Sequence, residues 1–377
     1  MNMSNKTNFD LLPEVIALMS DAMGKIESDM AQLARDPSYT ELLREVFRDV
    51  HSIKGNFAMC QSDELTQFAH HIENILTALL EVRITCTPLI AEAILMALDR
   101  LKEMSIQLSN AHALSGFNTL AVELALDDLS SASLTNAGVT AQRAIDLISG
   151  ITAPAAAAIP TVAAVDMRTI FPQDREEDLQ FFRELSKVFD GKNPYWEGRT
   201  QFQMVLAMGI NRQSSHPVDE AQLAVAVYMH DFGMALLPES LVQKVGKYDE
   251  SELEGIQRHV NHSGELLRRM PYWQEAALMV LQHHERPDGL GYPAKLTDTE
   301  IVDGAKILAI VDAFYAMTNL RADRDHKKSL MRAVTEINAC SGSQFSAKWV
   351  EVFNHIAMQQ IRAQNAAAAA AAATAAT

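Results

Sequence analysis

A run of residues from His283 to Pro293 constrains the fold more than any other part of this 377-residue chain. It reads HHERPDGLGYP, so two adjacent histidines precede a segment rich in Gly and Pro. These residues favour turns, and the chain must leave the preceding helix and form a loop beside the imidazoles. An isolated His-His pair is more often a solvated helix end, but neutral imidazole is also a common metal ligand. The rest of the chain decides between these interpretations.

Two further segments place carboxylates in apolar surroundings. Residues 223–229 are apolar and end in His230-Asp231, and apolar residues 307–311 lead into Asp312. A buried carboxylate is costly unless it is paired, neutralised or bound to metal. With one more histidine between these segments, the chain supplies a set suited to two neighbouring divalent ions, of iron, manganese or zinc, and a bridging water. The predicted ligands are His230, Asp231, His259, His283, His284 and Asp312, with Asp231 and His259 as the predicted catalytic residues.

Residues 195 to 355 resemble the HD-GYP family of cyclic di-GMP phosphodiesterases, whose motifs occur here in the family order and with similar spacing. The resemblance implies an all-helical domain with metal in a bundle core and a loop after His284 that walls the nucleotide cleft. It also implies substrate-binding residues: Arg286, Asp288, Gly289, Gly291, Tyr292, Pro293 and Arg321. Arg321 is either a phosphate clamp or a solvated residue at a helix end.

Two positions depart from the family pattern. Met234 stands where the family usually has Lys after His-Asp, and Trp196 stands where a His is expected in a His-x-x-Arg pattern. Glu197 either substitutes as a ligand or is an exposed residue at a helix start. The departures argue against a three-metal site and leave a two-metal site.

A second signal lies near the amino terminus, where His51, Lys54 and Gly55 occur within one predicted amphipathic helix. The apolar residues of this helix recur at helical spacing: Leu43, Phe47, Val50, Ile53 and Phe57. Gly55 lies one turn after His51, so the surface beside the imidazole is nearly bare. A partner's aspartyl phosphate could approach His51 there, with Lys54 supplying positive charge. The alternative interpretation is that His51 and Lys54 are incidental residues on a solvent-exposed helix face.

Residues 10 to 110 resemble the histidine phosphotransfer (Hpt) family, in which His-x-x-Lys-Gly is followed by a second helix with an apolar seam, a His and a Glu. The second helix here carries Leu65, Phe68, Ala69, His70, Ile72, Glu73, Ile75 and Leu76. The resemblance implies an antiparallel four-helix bundle with His51 as phosphoacceptor, and helices are predicted near 10–33, 39–60, 63–82 and 88–110. The implied partner is the receiver domain of a response regulator or hybrid histidine kinase.

Together these features predict an all-α chain: a phosphotransfer bundle over residues 1–130, a linker over 131–170, an HD-superfamily domain over 171–365 and an Ala-rich tail over 366–377. The linker is inferred from its Ser, Thr and Ala content and its prolines, although helical turns within 141–148 fit it too. Residues 174–189 are predicted to form a helix that packs on the catalytic domain.

Charge and composition limit the partners. The net charge of −16 disfavours binding to nucleic-acid polymers and anionic membranes, whereas metal ions would still attract a small anionic dinucleotide. Cys60, Cys86 and Cys340 form no disulfide framework, and no signal peptide or membrane-length apolar run is evident, so a cytoplasmic location is predicted.

The predicted function is phosphorelay-regulated hydrolysis of cyclic di-GMP to pGpG, with GMP after a second cut. One alternative is a catalytically silent protein that senses cyclic di-GMP or docks a diguanylate cyclase through its Gly-Tyr-Pro loop. Another is a phosphotransfer shuttle with a structural second domain, which leaves the six ligand-type residues unexplained.

Overall fold

A computed structural model describes residues 7–111, 113–114, 118–150, 173–192, 196, 198–215, 217–242, 244, 248–319 and 328–357. Within these ranges the chain forms helices joined by turns, with isolated β-bridges near residues 288 and 345. The all-α prediction is confirmed. The chain divides into two compact units, Met1–Ala155 and Ala156–Thr377. Among the described helices, none has the length and apolar character that crossing a membrane requires.

The first unit is built on the predicted four-helix bundle. Its described helices are α1 (Leu12–Arg35), α2 (Thr40–Met59), α3 (Asp63–Leu80), α4 (Pro88–Ala111), α5 (Thr119–Ser130) and α6 (Ala137–Ser149). Helices α1 to α4 pack in a ring, each against the next and α4 against α1. The short connections between them are typical of an up-and-down bundle.

The amphipathic pattern of α2 decides which of its faces enters the bundle. The buried residues recur every three or four positions along one face: Leu43, Val46, Val50, Ile53 and Phe57. Phe47 was predicted to belong to this face, which is wrong: Val46 is buried instead, and the half-buried Phe47 ring stacks on the ring of His51 at 6.1 Å. The apolar pattern located the helix correctly but misassigned one residue at the edge of its stripe.

The first unit extends beyond the predicted boundary at residue 130. Helix α6 lies in the segment predicted to begin a linker, yet it packs against α4 and α5 through buried residues that include Ile145 and Ile148. Its alanines gave a linker-like composition, but they allow close packing between helices. Residues 137–149 therefore belong to the first unit. Residues 151–170, the remainder of the predicted linker, lie outside the described residues, as does the tail over 366–377.

The second unit is also helical. Its described helices are α7 (Glu176–Asp190), α8 (Arg199–Gln213), α9 (Glu220–Met229), α10 (Glu239–Val242), α11 (Glu250–Arg268), α12 (Gln274–Gln282), α13 (Asp303–Thr318), α14 (Leu330–Ala339) and α15 (347–357). Helix α9 lies at the centre, packed against α7, α8, α12 and α13. Residues Ala221 to Met229 are all buried, as expected for a helix that is apolar on every side.

The predicted introductory helix is confirmed as α7. Leu179, Phe182 and Phe189 are buried, and the ring of Phe182 meets that of Trp273 edge to face at 5.6 Å. The Nε1–H group of Trp273 donates a hydrogen bond of 2.8 Å to Asp178 at the start of α7. Apolar packing and one buried polar contact thus attach α7 to the second unit.

Replacing Ile145 with Ala should lower the free energy of unfolding of the first unit by about 2–5 kcal/mol, because a buried branched side chain would leave a cavity. The matched control is Val139→Ala on the same helix, where the side chain is 75% exposed. Far-ultraviolet circular dichroism reports the unfolding of both helical units, whereas tryptophan fluorescence reports that of the second alone, because all three tryptophans lie there. Comparing the two signals therefore isolates the unfolding of the first unit. Equal effects of the two substitutions would show that α6 is not part of the core.

Candidate metal centre and phosphotransfer site

Three buried imidazoles in the second unit are held by the same local hydrogen bond. In each ring Nδ1 lies within hydrogen-bonding distance of the carbonyl three residues earlier: His230 to Val227 at 2.9 Å, His259 to Ile256 at 2.7 Å and His283 to Val280 at 2.7 Å. A carbonyl only accepts hydrogen bonds, so Nδ1 carries the proton. The lone pair is therefore on Nε2, the nitrogen that points into the centre.

The six predicted ligands come together in two groups that share Asp231. One consists of Asp231, His259, His283 and His284, and the other of His230, Asp231 and Asp312. Within each group, one possible ligand atom from every residue lies within 4.8 Å of those from the others. His259 lies in α11 and Asp312 in α13, whereas the other four residues directly follow α9 or α12, so four separate parts of the chain meet here.

In the four-residue group, hydrogen-bond acceptor atoms of different residues face one another. A cation bound between them would stabilise this arrangement. Nε2 of His259 lies 3.1 Å from Oδ1 of Asp231, yet neither buried atom makes a hydrogen bond. Nε2 of His283 also lacks a hydrogen-bond partner and lies 3.8 Å from the same oxygen. Unpaired buried acceptors are costly, so these atoms fit a divalent transition-metal ion.

Electrostatics keep three of the four residues, His283, His284 and Asp231, in the forms that bind metal, and favour the protonated form of the fourth, His259. Burial lowers the pKa of His283, and burial together with His283 lowers the pKa of His284 well below the usual value, so both rings stay neutral. Burial opposes ionisation of Asp231, but Arg199 and His230 outweigh it and hold the pKa of that carboxyl well below its usual range. Asp231 also raises the pKa of His259, despite the burial of that ring.

Arg199 contacts the predicted ligands but was not among the predicted site residues. It is the first residue of α8 and is 4% exposed, and its Nη2 donates to Nε2 of His230 at 2.8 Å and to Oδ1 of Asp312 at 3.4 Å. The same nitrogen donates to Asp231. One turn later, Gln203 donates to Oδ1 of Asp312 at 3.1 Å. The His-x-x-Arg pattern contained the signal, since Arg199 occupies its last position.

The two departures from the family pattern lie beside one cavity of about 270 Å³. Trp196 and Met234 both line it, together with Phe189 and other side chains. The adjacent Gly233 packs so closely on α11 that a Cβ atom there would lie 2.2 Å from the carbonyl oxygen of His259. The chain thus has an apolar wall where the resemblance implies a Lys side chain. Glu197, the suggested substitute ligand, lies outside the described residues.

Glu285 holds the loop that follows the paired histidines. Its buried carboxylate accepts hydrogen bonds from the backbone N–H groups of Ala294 at 2.6 Å and Leu296 at 2.9 Å. At Gly291 a Cβ atom would lie 2.5 Å from backbone atoms of neighbouring Glu285, so only glycine fits without a shift. The loop therefore turns back on itself, and the ring of Tyr292 stacks on that of His284 at 4.8 Å.

Among the predicted substrate-binding residues, Arg286 and Asp288 pair with each other. Two guanidinium nitrogens of Arg286 bind the carboxylate of Asp288, at 3.0 and 2.5 Å. Gly289 follows with a φ of +75°, the left-handed conformation that glycine adopts readily, and Pro293 is exposed after a cis peptide bond. Tyr292 lies beside the predicted metal ligand His284, whereas Arg321 lies outside the described residues.

In the first unit, a carboxylate on α3 orients the predicted phosphoacceptor. His51 has a side chain 62% exposed, and its Nδ1 lies 2.5 Å from Oε1 of Glu73. The other oxygen of Glu73 accepts from Lys54 and lies 3.2 Å from Nδ1 of His70. Because Glu73 engages Nδ1 of His51, Nε2 is the nitrogen available to accept a phosphoryl group. The sequence analysis placed Glu73 on the helix after that of His51, which is α3, but did not include it among the predicted site residues.

The surface beside His51 is open. A Cβ atom added at the exposed Gly55 would meet nothing within 4 Å. A side chain there would project into solvent on the His51 side of the helix, where a docking partner must approach. Gly in a helix interior lowers helix stability by about 1 kcal/mol relative to Ala. Packing within the first unit does not require Gly at position 55, because a Cβ atom there would contact nothing.

Glu73 should make the first unit sensitive to acid. Hydrogen bonds from Lys54, His51 and His70 outweigh burial and lower the pKa of Glu73 from 4.5 to about 2. A carboxyl with a lowered folded-state pKa contributes stability above its unfolded pKa, and loses it as the pH falls through the folded value. The stability difference between wild type and Glu73→Gln should therefore shrink from pH 4.5 to pH 2, as followed by thermal unfolding. Glu64→Gln, exposed on the same helix, is the control, and a constant difference would contradict the expectation.

Comparison with known proteins gives matches to both units. A family model described as HD domain matches residues 185–348, and one described as Hpt domain matches residues 10–104. The predicted resemblances are thereby confirmed at the level of domains. The Hpt match covers the four-helix bundle up to residue 104, within α4, and the HD match contains all six predicted metal ligands.

Three relatives illustrate the similarity. A cyclic di-GMP phosphodiesterase of Thermotoga maritima is 34% identical over 35% of this chain and 36% of its own length. The 3'3'-cGAMP-specific phosphodiesterase 3 of Vibrio cholerae serotype O1 is 30% identical over 39% of this chain and 31% of its own length. The cyclic di-GMP phosphodiesterase response regulator RpfG of Xanthomonas campestris pv. campestris is 38% identical over 26% of this chain and 27% of its own length.

The matched region thus covers about a third of the length of these relatives, and the likeness concerns domains rather than whole proteins. The helical bundle that carries His51 and the helical unit that carries the His/Asp groups agree with the two family matches in position and content. The chain therefore joins an N-terminal Hpt domain to a C-terminal HD domain.

Proposed function

We propose that the HD domain hydrolyses cyclic di-GMP to linear pGpG, with GMP as the product of a second cut. The observation that carries this proposal is the convergence of imidazole Nε2 atoms on the carboxylate of Asp231, where buried acceptors lack hydrogen-bond partners. Such a centre suits metal-assisted hydrolysis of a phosphodiester. The names of two of the relatives described above support cyclic di-GMP as the substrate.

The four-residue group fits the metal chemistry that the sequence predicts. Asp231, His259, His283 and His284 would hold a divalent ion of iron, manganese or zinc. When bound, such an ion lowers the pKa of a coordinated water and stabilises negative charge on phosphate oxygens. A second ion was predicted from the sequence, and its ligands would be His230, Asp231 and Asp312, the group that contacts Arg199.

The residues of the chain would orient the substrate around this centre. Asp231 and His259 are the proposed catalytic residues, since Asp231 belongs to both groups and His259 lies 3.1 Å from it. The Tyr292 ring stacks on that of His284 and would form one side of the nucleotide cleft, excluding water from that side. Arg286 and Asp288 would shape the loop, with the glycines allowing its turn.

The alternative function is a catalytically silent protein that senses cyclic di-GMP or docks a diguanylate cyclase through its Gly-Tyr-Pro loop. Met234 and Trp196 favour this alternative, because they remove a cation and a ligand that the family usually has. A second candidate substrate is 3'3'-cGAMP, because relatives are named for it. Turnover of cyclic di-GMP and 3'3'-cGAMP by one preparation separates these functions.

Replacing both His230 and Asp231 with Ala should abolish hydrolysis of cyclic di-GMP and sharply reduce bound transition metal, because Asp231 belongs to both ligand groups. Metal content and turnover should be measured on the same purified full-length sample. The control is His262→Ala, an exposed histidine on α11 that should leave both quantities unchanged. If the wild-type protein binds cyclic di-GMP without hydrolysing it, the sensor function is correct. If the double variant retains all of its metal, the proposed metal centre is wrong.

We further propose that His51 exchanges a phosphoryl group with an aspartate of a receiver domain, from a response regulator or hybrid histidine kinase. The exposed ring, its orientation by Glu73 and the open surface at Gly55 support this role. In the transfer, Nε2 of His51 forms a bond to phosphorus as the bond to the aspartyl oxygen breaks. Lys54 would offset part of the added negative charge, and phosphorylation is proposed to regulate hydrolysis.

His51→Gln should abolish labelling by a phosphorylated receiver domain, whereas His70→Gln should retain it, because only His51 would be the acceptor. Gly55→Leu should slow transfer by obstructing the open face without removing a reactive atom. Acid-labile label on His51→Gln would move the phosphoacceptor elsewhere. Hydrolysis should then be compared before and after phosphorylation of the same full-length sample, and equal rates would refute regulation by this route.

A further inference from the structure

Arg199 occupies the position in the HD domain where the second predicted metal ion would be. Its Nη2 contacts one ligand atom from each residue of the three-residue group: Nε2 of His230, Oδ2 of Asp231 and Oδ1 of Asp312. These are the atoms that an ion in this group would need. The Nη2 atom carries two N–H donors and part of a permanent positive charge, so it can donate to His230 and Asp231 and attract the more distant oxygen of Asp312 electrostatically.

We infer that the Arg199 guanidinium replaces one of the two metal ions, so that this chain binds a single divalent ion at Asp231, His259, His283 and His284. The inference rests on the metal centre of the proposed function and specifies its composition. Arg199 is then a fixed cation beside Asp312, on the opposite side of Asp231 from the ion. Its role is to neutralise the two carboxylates, and a phosphate oxygen is the substrate group that such a cation would attract.

The contact with His230 is the strongest argument against an ion in this group. Nδ1 of His230 is committed to the carbonyl of Val227, so the ring has one lone pair, on Nε2. That lone pair accepts the hydrogen bond from Arg199 at 2.8 Å. Metal coordination needs the same lone pair. An ion can therefore bind His230 only after Arg199 has left.

Aromatic side chains hold Arg199 in this position. The guanidinium carbon lies 5.4 Å from the ring centroid of Trp196 and 5.9 Å from those of Phe189 and Tyr315. Trp196 and Phe189 also pack together, with centroids 4.7 Å apart. Rings at such distances attract a cation and limit its movement. Trp196 is the residue that stands in place of the expected His. The presence of Trp at this position therefore removes a possible metal ligand and places an aromatic ring against the Arg199 guanidinium.

Charge favours one ion over two. Asp231 and Asp312 supply the two carboxylates of the two groups, and Arg199 already pairs with both. One divalent ion and Arg199 together bring three positive charges to this buried centre, and a second ion in place of Arg199 would bring four. Positive charge in that excess is costly to bury. Gln203 adds an uncharged donor to Asp312 from a side chain that is fully buried.

The test is to count manganese ions in the full-length chain after loading with Mn²⁺ and removal of the free ion. Wild type should contain one ion per chain by elemental analysis, and its electron paramagnetic resonance spectrum should show isolated Mn²⁺ without spin coupling. Arg199→Gln should admit a second ion and give the spectrum of a coupled pair. Arg212→Gln, on the same helix but paired with Glu220 at the surface, should remain at one ion.

Two coupled ions in wild type would overturn the inference and leave the proposed function intact, because Arg199 would then move aside on loading. Absence of bound metal from wild type would overturn both. The spectrum of wild type is decisive by itself if Arg199→Gln does not fold. A single ion in wild type together with a second in Arg199→Gln would establish that the guanidinium excludes the ion.

Discussion

The HD domain is organised around the negative charge of Asp231. This carboxylate follows a helix that is apolar on all sides, where an uncompensated charge is expensive. It belongs to both ligand groups and contacts Arg199 on one side while its other oxygen faces imidazole acceptors. The surrounding helices must bring cationic or metal-binding groups to this point, which explains why residues from distant parts of the chain meet there.

The histidines act through a repeated local geometry. Each of three rings uses Nδ1 to bind a carbonyl one turn earlier, and this frees Nε2 in a known direction before any partner binds. Close packing preserves that direction. Gly233 lets the segment after Asp231 lie against α11, and Glu285 holds the loop after the paired histidines. Ligand orientation is therefore a property of the folded domain.

The Hpt domain uses one carboxylate in a similar way. Glu73 interacts with His51, Lys54 and His70, so it orients an exposed imidazole while staying ionised itself. In the HD domain, the carboxylate of Asp231 faces the interior, where the other predicted ligands surround it. In the Hpt domain, the carboxylate of Glu73 lies beneath a surface that a partner can reach. The burial of the histidines distinguishes the proposed metal site from the proposed site of phosphoryl exchange: His259 is fully buried and His51 is exposed.

The sequence by itself determined the helical class, the four bundle helices and the identity of the six candidate ligands, because apolar periodicity and motif spacing are local. It did not determine which neighbours surround those ligands. Arg199 and Asp312 are separated by 113 residues, and only the packing of α8 on α13 brings them together. The same holds for Glu73 beside His51 and for α6, whose alanines resemble a linker until they pack on α4 and α5. Long-range packing decided these contacts because it depends on how whole helix faces fit, which local composition does not specify.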